Sequence, residues 1–335
     1  MLSFLVRRLS LMMITVFVIT VVSFFIIILP PGDFVDRIVL EANQYGEVFE
    51  EHEIADLRRM YGLDQSAFEQ YLIWMGNILF RGDFGYSFGW DVPVSELISQ
   101  RLGLTTALSI VTLMFIWIVA IPIGIYSAVR KYSLGDYAAT FVGFVGLAVP
   151  NFLLALVLLY ISFRYFGQSV GGLFSPEYIN APWSFDKFLD LLSHLWIPTI
   201  VLGTAGTAEV IRKIRANLLD ELHRPYVLTA RAKGLTELNL VIKYPVRHSL
   251  NPFVSDLNDL FVKIISGETI VAVVLGLQTT GPLLLQALKE EDLYLASSLI
   301  MFLSFLAVLG TLFSDLCLML LDPRIRRQAR EGEMM

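Results

Sequence analysis

Cysteine is almost missing. The 335-residue chain has one, Cys317, so no disulfide can form within it, and its place in an apolar run makes packing its role. Histidine is scarce as well: His52, His194, His223 and His248 are scattered, the last three near the ends of apolar runs. Glu50-Glu51-His52-Glu53 invites a metal reading, but a zinc-protease helix needs a second histidine four residues after the first, and His52 has none. A solvated face explains those acids, and no metal site is expected. No phosphate-binding Gly-x-x-x-x-Gly-Lys occurs, so ATP hydrolysis has no place to sit. No nucleophile–base constellation points to covalent chemistry, and nothing suggests nucleic-acid binding. Charge is thin at 17%, against about 25% in ordinary soluble domains.

What fills the space is apolar. Such residues make up 56% of the chain, with mean hydropathy +0.65, and they are gathered into runs. Residues 9–29 hold no charge over 21 positions, enough for a hydrocarbon core of about 30 Å. Further spans are expected over 103–129, 136–163, 194–216, 251–277 and 295–321. The first run is too long for a signal-peptide core, so Arg7 and Arg8 read as the flank of an uncleaved anchor.

Lysine and arginine set the orientation. Arg7 and Arg8 precede the first span, Arg130 and Lys131 follow the second, and a dense cluster lies between the fourth and fifth. Arg324, Arg326, Arg327 and Arg330 close the chain. Residues 30–102 have five arginines against thirteen acids. Six spans with both termini cytoplasmic put every basic cluster inside and the acidic segment outside. The expected organisation is an N-terminal tail and first span (1–29), a periplasmic insertion (30–102) and a core (103–335). The core includes a cytoplasmic loop at 217–250 and a cytoplasmic tail at 322–335. The fold class is all-α and integral to the membrane, in contact with lipid.

The insertion reads as helical. Ile54, Leu57, Met60 and Tyr61 recur at helical spacing with Gly62 to end them; Phe68, Tyr71, Leu72, Met75 and Ile78 repeat the pattern before Gly82. It serves either as a docking surface for an extracytoplasmic protein or as a lid on the spans. In the fourth span, residues 203–208 are almost all small, which predicts close helix packing away from lipid. In the fifth, Asp256, Asp259 and Lys263 share one helical face. Each charge at mid-bilayer costs about 2.5–3.5 kcal/mol, so this face lines a translocation pathway or holds an Asp259–Lys263 pair at the inner rim. Glu268 lies deeper without an evident partner on its own helix.

The most specific signal is a basic segment between the fourth and fifth spans. Pro225 suits a first helical position, Gly234 suits a left-handed stop, and between them 226–233 reads as a helix of about 12 Å. The block Tyr226-Val227-Leu228-Thr229-Ala230-Arg231-Ala232-Lys233-Gly234-Leu235 resembles the cytoplasmic EAA loop of ABC-importer permeases of the dipeptide/oligopeptide/nickel family. Weaker matches are Pro31-Gly32-Asp33, Tyr61-Gly62-Leu63-Asp64, Gly82-Asp83-Phe84-Gly85-Tyr86-Ser87, Pro150-Asn151-Phe152 and Leu321-Asp322-Pro323-Arg324-Ile325-Arg326. The stretch Gln278-Thr279-Thr280-Gly281 departs from the turn expected there.

The resemblance implies a type I permease fold of six helices forming half of a pathway for peptides or similar small polar solutes. It also implies a second permease subunit, two cytoplasmic ATPase subunits that bind the ATP and magnesium, and an extracytoplasmic solute-binding protein. Residues 226–235 would couple this chain to the ATPase, with Ala230 and Ala232 allowing close packing in the partner's cleft and Arg231 and Lys233 meeting acids at its rim. The alternative from another class is a secondary transporter driven by an ion gradient, with Asp256, Asp259 and Glu268 as ion sites. No inverted repeat supports it.

Overall fold

A computed structural model describes residues 2–167, 171–179, 181–250, 264 and 269–321. Among these, regular structure is helical apart from one two-stranded hairpin. Four helices are long and apolar enough to cross a membrane: α1 (Leu2–Ile28), α5 (Val94–Val129), α8 (Phe185–Leu222) and the last, α14 (Leu293–Leu321). Two bent helix pairs raise the number to six if each counts as one span.

The long helices outrun the apolar stretches that announce them. The stretch expected at 103–129 belongs to a helix that begins at Val94, because Glu96, Ser99, Gln100 and Arg101 are polar yet helix-compatible. The stretch expected at 194–216 extends from Phe185, capped by Ser184 accepting from the Lys187 N–H, to Leu222.

Residues 136–163 do not form one straight helix. Helix α6 (Leu134–Ala148) and helix α7 (Asn151–Ile161), which continues as a π-turn to Phe166, meet at 102°. Pro150 is the cause: it has no N–H to donate, and it drives Val149 to an extended ψ of 122°. A second bend of 97° separates α12 (Thr269–Leu275) from α13 (Thr280–Lys289), at Gly276 with φ +65°. Most of the fifth span expected at 251–277 lies outside the described residues.

The chain divides into two compact units. One comprises Val6–Thr105 and Thr279–Val308. In it α2 (Phe34–Gln44) is capped by Asp33, whose side chain accepts from the Asp36 N–H. Asp33 and Asp36 then hold Arg58 of α3 (Glu51–Met60) at 2.9 and 2.6 Å. Helix α4 (Ala67–Arg81) starts at Ser66, reciprocally capped with Glu69, and stops at left-handed Gly82. The hairpin pairs β1 (Tyr86–Ser87) with β2 (Val92–Pro93). Its core sets Val94, Leu97 and Ile98 against Leu283, Ala287, Leu295 and Leu299.

Asp292 organises this unit. Fully buried, it accepts from Ser87 Oγ (2.5 Å) and from the Phe88 and Gly89 N–H groups with one oxygen, and from the Leu295 N–H with the other. Residues 85–89 also spell Gly-x-Ser-x-Gly, a nucleophile-elbow pattern. Ser87 is buried on a hairpin and its hydroxyl is spent on Asp292, so the pattern is structural here.

The other unit comprises Met1–Leu5, Thr106–Gln278 and Leu309–Met335. The small residues of α8 pack inside it against the same chain. A Cβ on Gly146 of α6 would come within 2.6 Å of Thr204 Cγ2, and one on Gly203 within 2.6 Å of Phe115 of α5. One on Gly124 of α5 would meet Ile214 at 2.9 Å. These near-contacts bring backbones together as small residues do between membrane helices. Asp136, buried at the start of α6, accepts two bonds of 2.9 Å from Arg215 of α8 and a third from the Tyr132 N–H. Glu209, which interrupts the apolar run of α8, pairs with Lys213 one turn on at 2.9 Å.

Candidate functional site

Helix α9 spans Pro225–Ala232, with Pro225 in its first turn. Lys233 is the C-cap, its N–H donating to the Thr229 carbonyl; the Gly234 N–H donates to Arg231. Gly234 takes φ +80°, and a Cβ there would meet nothing within 4 Å. The glycine is thus required by backbone conformation and not by crowding. The chain reverses at once into α10 (Glu237–Lys243), then α11 (Pro245–Ser249).

One face of α9 is fixed to its own unit. Val227 is fully buried and Ala230 nearly so, in a cluster with Ala128, Leu218, Leu240, Val241 and Val246. Leu235 is half-buried against the same cluster. Tyr226 donates its hydroxyl to the Glu221 carboxylate and packs edge-on to His248, ring centroids 5.6 Å apart. Burial first, then that bond, push the Tyr226 phenol well above its usual range. Thr229 Oγ1 donates back to the Pro225 carbonyl.

The opposite face is open: Leu228, Thr229, Arg231, Ala232 and Lys233 are exposed. One detail departs from the sequence-based expectation and a second adds to it. Ala230 lies against the chain's own core, so of the two alanines only Ala232 faces outward. Arg231 already has an acid within the chain, Glu237, at 2.6 and 3.1 Å through Nε and Nη2. The pairing lowers the Glu237 carboxyl below its usual range and raises Arg231, hydrogen bonding being the larger cause in each.

The pathway candidates Asp256, Asp259, Lys263 and Glu268 lie outside the described residues. The histidines do other work. His194 is buried with Nδ1 2.8 Å from the Asp190 carbonyl, and His223 Nδ1 is 2.7 Å from that of Leu219. Among the described residues no group of His, Cys, Asp and Glu is arranged to hold a metal. In the Glu50–Glu53 stretch, Glu53 caps α3 by accepting from the Glu50 N–H.

With four to six helices or bent pairs long and apolar enough to cross a membrane, the described residues have the make-up of a multi-pass membrane protein. The chain belongs to the family of binding-protein-dependent transport system inner membrane components, whose profile matches residues 120–327, with the family's N-terminal profile matching 1–109. It is similar to the oligopeptide transport system permease protein AppB of Bacillus subtilis (strain 168), at 33% identity over 96% of this chain and 99% of that one. The dipeptide transport system permease protein DppB of Escherichia coli (strain K12) is 28% identical, over 98% of this chain and 100% of that one. A putative peptide permease protein of Brucella ovis is 30% identical over 92% of this chain and 93% of that one. The protein is therefore an inner-membrane permease subunit of a binding-protein-dependent ABC importer with the type I fold, and its candidate spans number four to six.

Proposed function

We propose that this chain forms half of a peptide translocation pathway and that α9 is where a cytoplasmic ATPase pushes on it. The observation that carries the reading is the division of α9 into a buried anchor, Val227 and Ala230, and an open face, Leu228 and Ala232. A short helix held on one side and free on the other relays a rigid displacement, because packed side chains transmit what flexible loops absorb. Tyr226, Thr229, Arg231, Lys233, Gly234 and Leu235 complete the coupling element. The peptide assignment rests on the names of the relatives.

In this reading two ATPase subunits bind ATP and magnesium, a second permease completes the pathway and an extracytoplasmic protein delivers the solute. Both termini face the cytoplasm, with 217–250 on the same side. Asp256, Asp259, Lys263 and Glu268 line the route. The test is cross-linking in the assembled transporter. With Cys317→Ser as background, Leu228→Cys and Ala232→Cys should form a thiol-specific adduct with the ATPase, with a yield that changes on adding ATP. Val227→Cys should form none. Capture of Leu228→Cys by an extracytoplasmic reagent in intact cells would refute the reading.

A further inference from the structure

The segment 30–102 follows the first span and carries charged helices such as α3, which has no buried residue. Helix α4 is different in kind. Between Glu69 and Arg81 it holds no charged side chain. One face packs on α1: Tyr71 and Trp74 surround Phe24, with ring centroids 5.3 Å away in each case. The Tyr71 hydroxyl is 3.1 Å from Thr20 Oγ1. The other face is also apolar and is uncovered in its unit: Phe68, Leu72, Ile73, Leu79 and Phe80 are exposed, Phe80 to 89%.

Depth along α1 decides what that face meets. The uncharged run 9–29 matches the hydrocarbon thickness at 1.5 Å per residue, which sets the C-terminal end of α1 at one boundary. Phe24 and Thr20 then lie about 6 and about 12 Å inside Ile28 along the axis. Helix α4 is fastened at the level of Phe24, within the hydrocarbon. The side chains of α1 near that level, Phe17, Val18, Val22 and Ile26, are apolar and exposed as well, so both helices show apolar side chains at that depth. Between its charged ends, Glu69 and Arg81, α4 is apolar apart from Gln70, which bonds the Gln65 carbonyl, and Asn77; such a helix suits an apolar medium, and its capped ends leave few backbone groups unsatisfied there.

We propose that α4 is embedded in the leaflet at the C-terminal end of α1, with Phe68, Leu72, Ile73, Leu79 and Phe80 against lipid acyl chains. The segment between α1 and α5 is then only partly aqueous: α3 stands in water while α4 widens the lipid-facing belt of the protein. The inference goes beyond the coupling reading and does not depend on it, since it concerns depth in the bilayer alone.

The experiment uses the assembled transporter in phosphatidylcholine vesicles with Cys317→Ser as background. Leu72→Cys, Phe80→Cys and, on α3, His52→Cys are each labelled with an environment-sensitive fluorophore in detergent before reconstitution. Labels at 72 and 80 are expected to emit blue-shifted light, to lose emission to nitroxide-bearing phosphatidylcholine and to be spared by aqueous iodide. The label at 52 should show the reverse. Iodide quenching at 72 and 80 equal to that at 52 would overturn the proposal. So would protection of both from both quenchers, which would mean that another protein subunit covers the face.

Discussion

Gly234 is a site where backbone geometry alone can be tested. Its φ of +80° lies in the region L-residues avoid, yet a Cβ there would have no atom within 4 Å. Any substitution therefore acts through the turn and not through collision. An L-residue held left-handed costs about 1–2 kcal/mol, roughly 5- to 30-fold in the ratio of stopped to unstopped helix. Asparagine tolerates the conformation best, alanine less, and β-branched valine least. The expected order of transport is glycine, then Gly234→Asn, then Gly234→Ala, with Gly234→Val lowest. The assay is peptide uptake together with binding-protein-stimulated ATPase of the assembled transporter, normalised to the amount of chain in the membrane. That amount should be unchanged, because α9 is cytoplasmic in the proposed arrangement and none of the four residues disturbs an apolar run. Wild-type stimulated ATPase in Gly234→Val would refute the argument that the helical stop matters for coupling. So would an asparagine variant as impaired as the valine one.

Other tests address the surrounding structure. Arg215→Ala strips two bonds from buried Asp136 and should lower stability by about 1–3 kcal/mol, read as a lower melting temperature in detergent; Arg215→Lys should recover part of it. Gly146→Ala sets a methyl against Thr204 Cγ2 and should cost about 1–3 kcal/mol by overpacking, whereas adding Thr204→Ser removes the opposing methyl and should restore the loss. Arg231 holds the Glu237 carboxyl low, so the link between α9 and α10 is in place above the usual glutamate range and is lost as pH falls through the depressed value. Protection from hydrogen exchange across 231–237, taken relative to the intrinsic rate at each pH, should fall on that acid side in wild type, and Glu237→Gln should remove this fall. Ser87→Ala leaves Asp292 one donor short in a buried site and should loosen the hairpin tip, detected as faster proteolysis near 87–91.

The elements that were legible in the sequence were those with local punctuation. Pro225 and Gly234 bracket α9, and Gly62 and Gly82 follow α3 and α4, as their spacing announces. Faces were harder. Periodicity placed Phe68 and Leu72 with Tyr71 on one stripe, but both are exposed, and Trp74 is the buried partner. Where apolar residues lie on more than one side of a helix, spacing cannot say which side meets the protein. Ala230 and Ala232 look alike as letters, and only the packing of Val227 and Leu218 separates them. The sequence reading runs 136–163 through Pro150 as one span, whereas the structure bends it there by 102°. Asp136–Arg215 and Ser87–Asp292 join residues 79 and 205 positions apart, and neither has a local signature.

A Cβ on Gly124, Gly146 or Gly203 would fall 2.9, 2.6 or 2.6 Å from Ile214, Thr204 or Phe115, so the seam is closed to a side chain at these three points. Helices α5, α6 and α8 are thereby closely seated against one another there. Under the coupling proposed for α9, such seating would pass a displacement along the seam as one body, and there is scant room in it for a larger residue.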